Sequence, residues 1–187
     1  MELQNINIKI FAQNAQAVEQ EHFTPIFHSW IQNQSTGELL LDVADYLHVP
    51  QGPGIVLIGN EADYSMDDSA GRLGLRYNRK LSLPGSNAER LAQALKAAAR
   101  ACVTLEADPR MAGRLKFKTD ELEVFVNDRA LAPNSAETLA ACSGELQAFF
   151  EKIFPAGCQL SFQKDPRERF GAHVKGKQAL DLAALAK

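Results

Sequence analysis

The chain has 187 residues, 45% of them hydrophobic and 23% charged, with a formal net charge of -3 and a pI near 5.8. That suits one domain, or two small lobes sharing a core, large enough to fold without disulfides or a structural metal. It excludes long disorder, and the scattered lysines and arginines lack the basic stripe of a nucleic-acid footprint.

Residues 4–11 alternate, with Ile6, Ile8 and Ile10 against Asn5, Asn7 and Lys9, which predicts a half-buried strand. The polar stretch 13–20 reads as loop or frayed helix. Thr24-Pro25 reads as an N-cap and first helical position, followed by Phe23, Ile26, Phe27, Trp30 and Ile31 at helical spacing. Gly37 reads as the stop. Two continuous apolar runs, 39–45 and 54–59, predict strands covered on both faces. Their short Pro/Gly connection is too brief for a parallel crossover, so they should form an antiparallel hairpin. The acidic stretch 61–68 reads as a loop. Residues 72–81 then alternate, placing Leu73, Leu75 and Tyr77 on one face and Arg72, Arg76 and Lys80 on the other.

Leu83-Pro84-Gly85 is the clearest break, dividing an N-terminal lobe, 1–83, from a C-terminal lobe, 84–187, unless the chain is one continuous domain. Ser86 and Glu89 form a capping-box pair at the start of a helix that ends at Asp108-Pro109. A hairpin is expected over 115–126. A second capping box, Asn134 with Glu137, opens a helix that stops at Pro155-Ala156-Gly157. Strands around Leu160–Phe162 and Phe170–Val174 flank a charged turn, and 177–186 suggests a short last helix. The expected fold is α+β, mainly antiparallel sheet covered by helices, with helix-then-hairpin units in the C-terminal half.

Asp42, Asp45, His48, Glu61 and Asp63 have the chemistry of a metal or acid-base cluster. An antiparallel hairpin nevertheless puts Asp45 and His48 at its turn and Glu61 and Asp63 at its far end. Two smaller groups remain. At the turn, Asp45 and His48 are a candidate acid-base pair, with Tyr46 on the rim of a ligand site; the plainer reading is an exposed structured turn. On the strand 72–81, Arg72 and Arg76 are candidate anion ligands around Gly74, since arginine suits bidentate contacts to carboxylate or phosphate. The plainer reading there is an outward polar strand face. His173 stands alone, and Asp165–Arg169 reads as a solvated turn. GxxxxGK[ST], a strand-linked GxGxxG, GxSxG and HExxH are all missing, so no metal site is assigned and any cofactor stays unknown from sequence.

Cys102, Cys142 and Cys158 form no CxxC pair, no apolar run reaches the ~18 residues of a membrane span, and Met1–Asn5 lacks the features of a secretory signal. The expectation is a soluble cytoplasmic binding or accessory protein recognising a protein or small-molecule partner, with neither nucleic acid nor membrane as partner. The alternative is a small hydrolase or isomerase acting on an anionic substrate, with Asp45 and His48 catalytic and Arg72 and Arg76 as anchor. A homo-oligomer is a third reading, in which the leucines at 180, 182 and 185 supply an association surface.

Overall fold

Eight strands make one antiparallel sheet in the order β2-β3-β4-β5-β1-β6-β8-β7 in the computed structural model, which describes residues 1–187. The strands are β1 (Ile6–Ala12), β2 (Leu40–Asp45), β3 (Ile55–Gly59), β4 (Ala62–Asp67), β5 (Gly74–Arg79), β6 (Phe117–Val126), β7 (Cys158–Phe162) and β8 (Gly171–Gly176). The helices are α1 (Phe23–Asn33), α2 (Asn87–Ala107), α3 (Ala136–Ile153) and the single turn α4 (Leu182–Leu185). The fold is α+β. β1 lies inside the sheet, between β5 of the first half of the chain and β6 of the second.

The two faces of the sheet are chemically different. Ile8 lies opposite Tyr77 and Val124, and Ile10 opposite Leu75 and Leu122. With Leu57, Tyr64, Met66 and Val174, these residues meet the apolar sides of α1, α2 and α3 in a buried core of 42 residues. Trp30 packs edge-on against Tyr64, and Gln93 donates to the Tyr77 hydroxyl, so α1 and α2 lie on the same side. Phe11 is also buried but stands outside that core, on the opposite face. That second face carries the polar half of each alternating strand.

Tyr64 and Tyr77 donate to the two oxygens of Glu38, at 2.6 and 3.0 Å, which pins the connection between α1 and β2. Burial, with the Glu38 charge beside them, pushes both phenols up, Tyr77 to about 12, so they remain protonated donors.

Several expectations change. The acidic stretch is strand β4, not a loop: Ala62, Tyr64 and Met66 face the core while Asp63, Ser65 and Asp67 face the other way. The hairpin β2–β3 is antiparallel as expected, but β2 is an edge strand with Leu41 53% exposed. A continuous apolar run therefore did not require two covered faces. Arg72 precedes β5 rather than belonging to it, and β5 pairs with β4 and β1. The region expected as a hairpin over 115–126 contributes one ten-residue strand, β6.

Helix boundaries also shift. α1 begins at Phe23, one residue before Thr24, and is entered from a one-turn 3₁₀ segment that already supplies helical geometry, with no side-chain cap. It ends at Asn33, where Gln34 turns left-handed at φ 47°, before Gly37 is reached. The cap of α3 is Ser135, whose hydroxyl accepts from Thr138 N, rather than Asn134; Asn134 instead donates to the carbonyl of Asp165. The capping box at Ser86 and Glu89 is present as expected. The last segment turns inward: Leu182 is in the core, and Leu180 and Leu185 pack against it.

Candidate functional site

The polar face is organised by register. One row across the sheet reads Val56, Ser65, Arg76, Lys9, Glu123, His173 and Ser161, each opposite the next. The row on the β5 N-terminal side contains Asp67, Gly74 and Phe11, and that on the other side contains Asp63, Asn78, Asn7, Phe125 and Gly171. A groove of about 720 Å³ runs over these rows, bordered by the 163–170 connection, by Ser69 and Ala70, and by Gln51 of the β2–β3 loop. Its volume suits a small molecule.

Charge in the groove is unusually deep for an uncovered sheet face. Lys9 is 2% exposed and Asp67 1%, and they pair at 2.6 Å. Arg76 reaches the second oxygen of Asp67 at 2.9 Å, while its Nε is buried without an acceptor. Arg169 comes from the turn before β8 and lays its guanidinium over the Phe125 ring, 4.3 Å from the centroid. Its one polar contact is Asn127 Oδ1 at 3.5 Å. Burial lowers Arg169 below the ordinary guanidinium range, and the positive charge of Arg76 lowers it further. Two guanidiniums thus line one groove, where Asp67 is already shared by Lys9 and Arg76 and the exposed Glu168 makes no ion pair with either arginine.

Beside the groove, Glu121 gathers cations. Arg72 and His173 both reach its Oε1, the histidine at 2.8 Å, while Lys118 reaches Oε2 at 3.1 Å. Arg72 also stacks on Phe11, 3.6 Å from the ring centroid. Burial alone would raise the Glu121 carboxyl, but hydrogen bonds from Arg72, His173 and Lys118 outweigh it and hold the group at about 2, down from 4.5. A folded-state value below the unfolded one adds stability that is complete above about pH 4.5 and fades as the pH falls towards 2. Urea unfolding between those limits should show Glu121→Gln with a flatter loss than the native chain. Parallel slopes would contradict this account.

The residues singled out from sequence are divided by this architecture. Arg72 and Arg76 both belong to the polar face, but Arg76 lines the main groove while Arg72 lines a neighbouring one of about 520 Å³. Asp45, Tyr46 and His48 are exposed at the hairpin tip; Asp45 accepts from Leu47 N at 2.8 Å, and the rings of Tyr46 and His48 are 6.2 Å apart. Asp45 lies in register with Ile55, Met66 and Leu75, hence on the helix-bearing face and not with Arg76. The strand order puts β2 three spacings from β5, roughly 14 Å. Neither group meets the other. At the far end of the hairpin, Glu61 accepts from Leu39 N and Asp63 pairs with Lys80 at 2.7 Å, as the hairpin geometry implied.

Lys9, Asp67, Glu123, His173 and Arg169 were not grouped by sequence reasoning. They come from β1, β4, β6, β8 and the turn before β8, and only strand order makes them neighbours. The one local signal was the alternation of 62–67, which places Asp67 on the polar face with Asp63 and Ser65.

No group of three or more His, Cys, Asp or Glu side chains is placed to hold a metal ion, and no helix is long and apolar enough to cross a membrane. What the geometry defines is an open-faced antiparallel sheet, backed by helices, with a charged groove on its bare side. No protein-family model matches the chain, and no curated protein is significantly similar to it.

Proposed function

We propose that this protein binds a small anionic molecule in the groove on the bare face of the sheet. The observation that carries the reading is the pair Arg76 and Arg169. Arg76 shares Asp67 with Lys9 and keeps a buried Nε without an acceptor, and Arg169 has no carboxylate partner. A carboxylate or phosphate lying between the two guanidiniums would satisfy both, and bidentate geometry is what arginine offers such groups. The recognised partner is thus a small molecule rather than a protein, and cytoplasmic location belongs to the same reading, supported by three free thiols. The alternative, a hydrolase or isomerase using Asp45 and His48, gains nothing from their placement on an exposed tip.

Calorimetric titration with inorganic phosphate and with short carboxylates tests the proposal. Saturable binding at one equivalent is expected, weakened at least tenfold in Arg169→Gln and in Arg76→Gln. Arg100→Gln, on α2 and away from the groove, should bind as the native chain does. Equal affinity in Arg169→Gln, or no saturable binding of either probe, would remove the groove as an anion site.

A further inference from the structure

Glu123 is the carboxylate on the strand floor of the groove for which the anion-binding reading has no use; Glu168, also without an ion pair, stands exposed on the bordering connection. Glu123 projects from the centre of β6 onto the polar face, directly opposite Lys9 on one side and His173 on the other. Either could serve as counter-charge, yet both are committed elsewhere. The Lys9 ammonium turns to Asp67 at 2.6 Å and to the Ser69 carbonyl at 3.3 Å. The His173 Nε2 turns to Glu121 at 2.8 Å. Asp165, at the groove border, is held by Arg167 at 2.7 Å. Glu123 is half-buried in the groove.

A simple anion would meet repulsion from this carboxylate. A divalent cation needs several converging oxygen ligands, and no three carboxylate, histidine or cysteine side chains converge to hold one. A neutral ligand would bury Glu123 and Arg169 unpaired, which is costly. A molecule with one positive and one negative end removes all three objections.

We infer that the groove takes a zwitterion, its anionic group between Arg76 and Arg169 and its ammonium on Glu123. This rests on the anion-binding reading above and names the ligand class for that site. The spacing follows from the strand. Glu123 and Phe125 are two residues apart on β6, about 6.7 Å, and the Arg169 guanidinium lies over the Phe125 ring. The ligand's two charges are therefore separated by roughly 5–7 Å, the spacing between Glu123 and the ring that carries Arg169. Short ω-amino acids match that description. Glu123 is then a specificity residue: it selects an amino group and contributes nothing to holding the anion.

The test compares 5-aminopentanoate with pentanoate, and glycine through 6-aminohexanoate as a length series, by calorimetry on the full chain. The amino acid is expected to bind at least tenfold more tightly than pentanoate, with the longer members favoured over glycine. Glu123→Gln should raise the dissociation constant of 5-aminopentanoate to that of pentanoate and leave pentanoate unchanged or tighter. Because the native chain alone supplies the pairwise preference, the result does not depend on the variant folding. Equal native affinities for the two compounds, or a preference that survives in Glu123→Gln, overturns the zwitterion inference while anion binding stands. If pentanoate, 5-aminopentanoate and inorganic phosphate all fail to bind, the anion reading itself falls, and this inference with it.

Discussion

Asp67→Asn should destabilise the fold by about 3–5 kcal/mol, the usual cost of leaving buried charge without its partner. Asp67 answers two cations at once, Lys9 at 2.6 Å and Arg76 at 2.9 Å, and is itself 1% exposed. It also accepts from the Ser69 amide and hydroxyl, which hold the start of the β4–β5 connection. The amide keeps the shape but loses the charge, so Lys9, 2% exposed, is left with the Ser69 carbonyl and little else. Lys9→Met is the informative contrast. It deletes one cation while Arg76 still neutralises the carboxylate, so its cost should be clearly smaller. Chemical denaturation of the three proteins measures both values. An Asp67→Asn loss below about 1 kcal/mol, the range of an exposed pair, would mean that this ion pair is solvated in the folded protein.

Gly171→Val should damage stability and ligand binding together. Gly171 is paired with Phe125 across β8 and β6, beneath the ring that supports Arg169. A Cβ there would come within 2.4 Å of the Val124 carbonyl oxygen and 2.5 Å of the Phe125 Cβ. Neither contact is the loose end of a flexible side chain, so β8 must move away from β6 or Phe125 must rotate. Overpacking of this kind costs about 1–3 kcal/mol and sometimes more. Arg169 would lose its platform, and phosphate affinity should fall by at least as much as in Arg169→Gln. A Gly171→Val protein that melts with the native chain and binds phosphate equally well would show that the two strands are not held so close.

Much of this fold was legible because each local pattern concerned one element. Ile6, Ile8 and Ile10 marked β1, Phe23 through Trp30 marked the buried side of α1, and Ser86 with Glu89 marked the start of α2. β4 was lost because Asp63 and Asp67 lower mean hydropathy, although Ala62, Tyr64 and Met66 keep strict period-2 spacing between them. A carboxylate on a strand's second face is invisible as a strand residue until something opposite it is known to be basic. The same limit hid the site. Arg76 was identified from its own strand, but Arg169 sits in a turn rich in charge, and Lys9 resembled the solvated side of a half-buried strand. Their meeting depends on β1 running between β5 and β6 and on β8 lying beyond β6, and strand order is not written in any local window. The tip residues Asp45, Tyr46 and His48 drew notice for the converse reason: they are clustered in sequence, while the register sends Asp45 to the other face.

The interior position of β1 also sets the order in which the molecule can be assembled. This strand is complete at Ala12, yet its partners are finished only at Arg79 and Val126. At the ~5–20 residues per second of synthesis, the segment waits on the order of 6–20 s for its second neighbour. Through that interval both flanks of Ile6–Ala12 are unpaired, or one is, and three isoleucines and a phenylalanine are held among main-chain groups open to any extended partner. Asn7 and Lys9, which become neighbours of the groove once the sheet closes, interrupt that apolar segment at every second position beforehand. The polar side chains that end on the groove-bearing face thereby act as gatekeepers for the nascent chain.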